Sequence, residues 1–309
     1  MHPPLSMIFF TTLAGAGQGL WLALFGADVA AALGLAQAPA PWRLAGAALV
    51  LLLCGVGLAA ASFHLGHPLR AWRAAAMWRT SWLSREVIAL PAFMAVVALW
   101  AALQAAQGPG AATLAAGLLA SALALALYVC TGMIYAAVKA MREWAHPLTP
   151  LNFGLLGGAS GLTLAAALAA WTAPALVRPL ACAALLATIA GALTRGLALR
   201  RNLSLAPRTT LQTAIGIRHP RIEQISQGAM GGTFNTREFF HHRTPAFVRG
   251  MRWVAALAGF ALPALLLIAA PPVWLPAAFV VQYLGLLAER WCFFAEARHP
   301  QNLYQQKIG

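Results

Sequence analysis

A chain of 309 residues that is 61% apolar and only 9% charged lacks the polar side chains needed to cover a water-exposed surface, so lipid is the solvent for most of it. Its net charge of +14 does not indicate nucleic-acid binding, because such proteins gather arginines on polar or aromatic surface, whereas here they stand between long apolar runs, as positive-inside topology requires. The four cysteines, Cys54, Cys130, Cys182 and Cys292, fall in four different apolar segments, which removes clustered-thiolate iron–sulfur ligation and paired structural zinc.

A helix needs about 20 apolar residues to cross the hydrocarbon core, and the spans follow in chain order. The first is predicted over 7–34 and carries Gln18 and, near its outer end, Asp28. Ala36, Gln37 and Ala38 resemble a cleavage site. No basic stretch precedes them, however, and the run from Leu5 is roughly twice the length of a signal-peptide core, so the segment is read as an uncleaved helix. The second span, 43–65, is followed by a basic loop with Arg70, Arg73, Arg79 and Arg85. The third and fourth spans, 86–106 and 112–139, flank Gly108-Pro109-Gly110; the fourth carries Tyr135, and Lys139 and Arg142 lie at and beyond its end. The fifth and sixth, 152–172 and 177–199, lead to a polar stretch over 200–250. The seventh and eighth, 251–270 and 273–294, form a hairpin about Pro271-Pro272. The expected fold is thus all-α and integral to the membrane, with about eight transmembrane helices in a single polytopic domain.

An even number of spans places both termini on one face, together with the loops after the second, fourth and sixth helices. That face also holds Arg298 and Lys307, while the other has only Arg43 and Arg178. Short loops rich in Lys and Arg stay cytoplasmic, so the expected location is a bacterial inner membrane with cytoplasmic termini. The segment opening at Phe10 (FTTLAGA) is similar to the one opening at Phe153 (FGLLGGA). Both helices start from the same face, which fits two duplicated four-helix bundles; shared small-residue composition for close helix contact explains the likeness equally well.

Haem needs axial ligands within the bilayer. Of His2, His64, His67, His146, His219, His241, His242 and His299, only His64 lies at a helix end within reach of hydrocarbon, so bis-histidine ligation is not expected. The chain is expected to bind no cofactor covalently and no metal. The stretch Ser62 to Trp72, with Thr80 to Glu86 after it, sets an imidazole, guanidiniums, a carboxylate, indoles and hydroxyls at the lipid–water boundary. A quinone site needs donors to its carbonyl oxygens, an aromatic or apolar wall and a proton-passing group. His64 titrates near neutrality; Arg70, Trp82, Arg85 and Glu86 complete the candidate pocket, with Gln18 and Tyr135 at comparable depth. The plain alternative is that these arginines snorkel and set topology while the tryptophans form an interfacial belt. Deeper charges at Asp28, Arg195, Glu289 and Arg290 do not make a chain of carboxylates across the bilayer. They read as functional groups, or, for Glu289 and Arg290, as residues paired with neighbours. Loops longer than about 15 residues are usually functional or disordered; the 200–250 loop mixes Arg218, Arg237, Phe239 and Phe240 with glycines and suits either a docking surface or a cap on its own bundle.

The run Phe63-His-Leu-Gly-His-Pro-Leu-Arg-Ala-Trp with Ser81-Trp-Leu-Ser-Arg-Glu resembles the signature of the DMSO reductase anchor subunit family, which is related to the NrfD-like proteins. The opening His2-Pro-Pro-Leu-Ser, Thr149-Pro-Leu-Asn-Phe and Gln227-Gly-Ala-Met-Gly-Gly-Thr-Phe-Asn-Thr-Arg-Glu-Phe-Phe are similar to the branch of membrane subunits that serve cytoplasmic sulfite dehydrogenases. The resemblance implies a quinone-reactive anchor beside an iron–sulfur subunit and a molybdopterin catalytic subunit. Quinone is then a substrate, His64 is linked to its binding, and electrons pass from sulfite to the quinone pool. The same scaffold can also run in reverse for a sulfoxide or polysulfide reductase, and a passive anchor or transporter without quinone chemistry is the remaining alternative. Arg73, Arg79, Arg218, Arg237, Phe239 and Phe240 are the expected docking residues.

Overall fold

The computed structural model describes residues 1–63, 65–206, 209–226 and 232–305, and among them every regular element is helical. Eight helices are long and apolar enough to cross a membrane, with mean hydropathies from 1.3 to 2.4 in their most apolar windows. They are α1 (Leu5–Ala32), α2 (Ala40–Ser62), α3 (Trp82–Gln107), α4 (Ala111–Ala136), α5 (Leu148–Thr172), α6 (Pro174–Leu203), α7 (Pro245–Ala269) and α8 (Pro272–Ala295). They run alternately up and down. The segments 1–4, 63–81, 137–147, 204–244 and 296–305 therefore share one end, called here the basic end.

Local chemistry sets the boundaries. The hydroxyl of Ser81 accepts the Ser84 N–H at 3.3 Å, an N-cap that starts α3 a turn before the apolar run. Trp82, Arg85 and Glu86 consequently lie on the helix, where apolar length alone started it at 86. α2 stops at Ser62 and gives way to a 3-10 stretch over Pro68–Met77. Thr244 caps α7 by accepting from Phe247 N, with Pro245 behind it; this adds a polar first turn to a span expected from 251. Within α7 the turn Leu257–Ala261 is a π-bulge. Pro263, which has no N–H to offer the carbonyl one turn back, follows two residues later.

α5 lies at the centre, against α1, α2, α4, α6 and α8. Its contact with α1 is close because both helices present glycine there: a Cβ on Gly161 would stand 2.2 Å from Leu20 N, and one on Gly19 would stand 2.5 Å from Gly157 O. The two similar segments at Phe10 and Phe153 are thus parts of one helix–helix seam. In the half of the bundle away from the basic end, Trp21, Phe93 and Trp100 pack edge to face, and Trp21 Nε1 donates to Ser121 Oγ at 3.1 Å. Outward-facing Leu52, Leu118, Leu186 and Ile268 are each more than half exposed, the pattern of a bundle whose solvent is hydrocarbon.

At the end opposite the basic one, Arg43 of α2 lies 3.3 Å from Asp28 of α1, and Gln104 of α3 links them, accepting from Arg43 at 3.2 Å and donating to Asp28 at 3.1 Å. The one basic residue at the start of α2 is therefore a buried ion-pair partner.

Candidate functional site

The loop between α2 and α3 separates the residues that sequence had grouped. His64 lies outside the described residues. Arg70, Arg73 and Arg79 are exposed on or beside the 3-10 stretch, among exposed Phe63, Leu69, Trp72 and Trp78. Arg85 turns back on its own junction: Nε donates to Trp78 O at 2.9 Å, Nη2 donates to Arg79 O at 2.8 Å, and the guanidinium sits 4.2 Å over the Trp82 ring. That clamp fixes the angle at which the loop enters α3.

Glu86, one residue further on, points the other way. It is 3% exposed. Its Oε1 accepts a hydrogen bond from Thr131 of α4, and none of the ion pairs among the described residues involves it. A buried carboxylate without a cation is costly and is held only where packing insists on it. Next to Thr131 is a cavity of about 10 Å³, lined by Phe10, Thr11, Gly15 and Gln18 of α1, Tyr128 and Thr131 of α4, and Phe153 of α5. Gln18 donates through Nε2 to Ala14 O at 3.0 Å, leaving Oε1 buried with no protein partner. Tyr128 donates to Gly15 O at 2.7 Å.

Tyr135 closes the group. Its ring stacks on Phe153 at 5.5 Å and meets Trp144, Phe293 and Phe294 edge on, each at 5.4 Å. Its hydroxyl is buried with no protein hydrogen-bond partner, within electrostatic reach of both Glu86 and Arg290. The structure therefore brings Glu86 and Tyr135 together at the basic end of α3 and α4, places Gln18 deeper than expected, midway along α1 on the cavity beside Thr131, and leaves Arg70, Trp82 and Arg85 on the loop side. Thr131, Tyr128 and Phe153 were missed in sequence. Residues 128, 131 and 135 recur at helical spacing on one face of α4, a signal that was there to be read.

The residues expected to dock a partner divide in the same way. Arg218 and Arg237 are exposed, while Phe239 and Phe240 are half-buried. Phe239 stacks on His299 at 3.8 Å, and its carbonyl accepts from Asn302 Nδ2 at 3.1 Å. His2 N donates to Glu238 O at 2.8 Å. The long loop is thus clasped to both terminal segments, and its Arg218, Arg221 and Arg237 face outward. Residues 207–208 and 227–231 of this loop, which include the first part of the Gln227 motif, lie outside the described residues.

Residues 1–217 match a family model described as DMSO reductase anchor subunit (DmsC). The chain is also 49% identical to a sulfite dehydrogenase subunit from Allochromatium vinosum, over 325 aligned positions that cover the whole of both chains.

Proposed function

Because this chain belongs to the DMSO reductase anchor subunit (DmsC) family, we propose that it passes electrons from cytoplasmic sulfite oxidation to a membrane quinone. It is a multi-pass membrane protein and the anchor of a complex of that type. The finer reading has an iron–sulfur subunit docked on the basic end, in the cytoplasm, beside a molybdopterin subunit that oxidises sulfite. Full-length identity to a sulfite dehydrogenase subunit favours sulfite as the partner's substrate, and the arginine-rich loops favour a cytoplasmic basic end.

The observation that carries the quinone site is the buried Glu86, which none of the ion pairs among the described residues involves and which is bonded to Thr131 of the cavity that Gln18 lines, with Tyr135 within electrostatic reach. Reduction of a quinone takes two electrons from the partner and two protons. Tyr135 donates toward one carbonyl oxygen, and His64 and Glu86 exchange protons with it. Arg70, Trp82 and Arg85 shape the entrance. Arg73, Arg79, Arg218 and Arg237 meet the iron–sulfur subunit, with Phe239 and Phe240 holding the loop that presents them.

The test uses the purified complex and two acceptors. His64→Ala and Glu86→Gln should each cut sulfite-driven quinone reduction by about 100-fold, the scale of a lost acid–base group, while a soluble dye accepts electrons at the normal rate. Unchanged quinone turnover in both variants removes the site from this end of the bundle.

A further inference from the structure

The charges of α6 and α8 are not among the residues given a role toward quinone above. Arg195 Nε lies 2.7 Å from Glu289 Oε1, and Arg290 Nε lies 3.2 Å from Glu289 Oε2. Glu296, just beyond the end of α8, is 3.9 Å from Arg195 Nη2 and 2.6 Å from Arg252 Nε of α7. Glu289 and Arg290 are 2% and 4% exposed, so these ions have left solvent altogether. A buried ion pair is weak evidence for stability, because desolvation offsets most of the Coulombic gain. The cluster therefore needs a reason beyond holding helices together.

A cavity of about 20 Å³ opens on the cluster, and Glu143, Asn152, Ala198, Asn202 and Glu289 are among the residues that line it. That is room for a water molecule, among enough polar partners to hold it. Glu289 Oε2 is buried and accepts no protein hydrogen bond. Glu143 and Asn202 stand where the 137–147 loop meets the end of α6, half-buried at the basic end. Arg290 is common to this cavity and to the quinone-side group: its guanidinium lies 3.9 Å over the Phe153 ring, which stacks on Tyr135, and Tyr135 is within electrostatic reach of both Arg290 and Glu86.

We propose that Glu289 is a proton-relay carboxylate, fed with water from the basic end past Glu143 and supplying the quinone site by way of the Tyr135 hydroxyl, which like Glu289 Oε2 is buried with no hydrogen-bond partner among the described residues. The inference rests on the quinone reading above and adds the route for its protons. Quinone takes up two electrons from the partner subunit and two protons through Glu289, giving quinol, and each proton lost from Glu289 is replaced from bulk water. The charged and titratable groups around it are Arg195 of α6, Arg290 of α8, Glu296 beyond its end, Arg252 of α7, Glu143 of the loop and Tyr135 of α4. Arg195 and Arg290 hold the carboxylate ready between turnovers, which makes them positioning residues.

Two variants test it in the assembled complex. Glu289→Gln keeps shape and removes the exchangeable proton; Ala198→Leu fills the cavity without touching a charge. Both should slow quinone reduction about tenfold and raise its solvent deuterium isotope effect, while dye reduction and assembly stay normal. If Glu289→Gln fails to assemble because two arginines lose their partner, Ala198→Leu decides alone. Wild-type quinone rates and isotope effects in an assembled variant overturn the relay and leave the quinone site standing. Absence of sulfite-driven quinone reduction in the wild-type complex overturns the underlying reading instead.

Discussion

Two carboxylates at opposite ends of the bundle, Asp28 and Glu86, have opposite surroundings. Asp28 has a guanidinium within 3.3 Å and an amide donor; Glu86 has one hydroxyl. The first is a structural ion pair, and the second carries the proposed proton exchange. Removing Arg43 should be far more harmful than its place beside a loop suggests, since Asp28 would be left buried and unpaired. Arg43→Ala is expected to cost about 3–5 kcal/mol, seen as a lower melting temperature of the detergent-solubilised protein. The double change Asp28→Asn with Arg43→Gln should recover most of it. A full loss in the double variant would show that the charges themselves are needed.

The same pair marks a limit of reading residues by position. Arg43 sits at the start of α2, where an arginine ordinarily snorkels, and nothing local to it announces Asp28 or Gln104, which come from two other helices. Glu289 and Arg290 presented the inverse difficulty. The sequence left them either functional or paired with unnamed neighbours; the structure pairs them with each other, and Arg195 and the cavity enter only through tertiary structure.

Among the helices, the α1–α5 seam is where packing is least forgiving. Gly161→Val would drive side-chain atoms into the α1 backbone, from which even a Cβ stands only 2.2 Å. A loss of about 1–3 kcal/mol or more is expected, as for overpacked cores, with reduced membrane yield. Gly158→Ala, next to the seam but with nothing within 4 Å of an added Cβ, is the matched control and should be silent. The clasp between the long loop and the C-terminal segment should respond to pH. Burial, then the nearby N-terminal amine, holds the His299 imidazole below its ordinary pKa. Its Nδ1 accepts from Gln301 N at 3.3 Å, which requires that nitrogen unprotonated. With a folded-state pKa lower than the unfolded one, the clasp is at full strength above the usual imidazole range and weakens as pH falls through the folded value. Limited proteolysis within 239–244 should therefore speed up on acidification, and His299→Phe, which keeps the stack on Phe239, should flatten that response.

Hydropathy located each span within a few residues, because twenty apolar positions in lipid admit one solution. The differences arise where polar chemistry takes over from apolar length. The Ser81 cap extends α3 backward, the Thr244 cap does the same for α7, and the π-bulge at Leu257–Ala261 had no signal beyond Pro263 and the glycine at 259. The candidate pocket was half legible for the same reason. Glu86 and Tyr135 could be chosen by depth, Gln18 lies deeper than its expected place, and whether Arg85 faced them depended on a loop carbonyl, which a residue list cannot show.

Across the full bundle, charge and chemistry coincide at one end. Arginine-rich loops, Glu86, Tyr135, Glu289 and the loop–tail clasp all lie there, whereas the opposite end offers one buried ion-pair network and an apolar groove between α6 and α7. An anchor that accepts electrons from a soluble partner needs the partner surface and the quinone-side groups at the same end, when the chain is expected to supply no carrier of its own. Everything therefore turns on which compartment that end faces. Ala76→Cys, at an exposed position of the basic end, in a chain that also carries Cys182→Ser, reads this directly when intact and permeabilised cells are treated with a membrane-impermeant maleimide. Labelling only after permeabilisation is the expected result; labelling in intact cells would place the basic end outside the cytoplasm and contradict the proposed electron route.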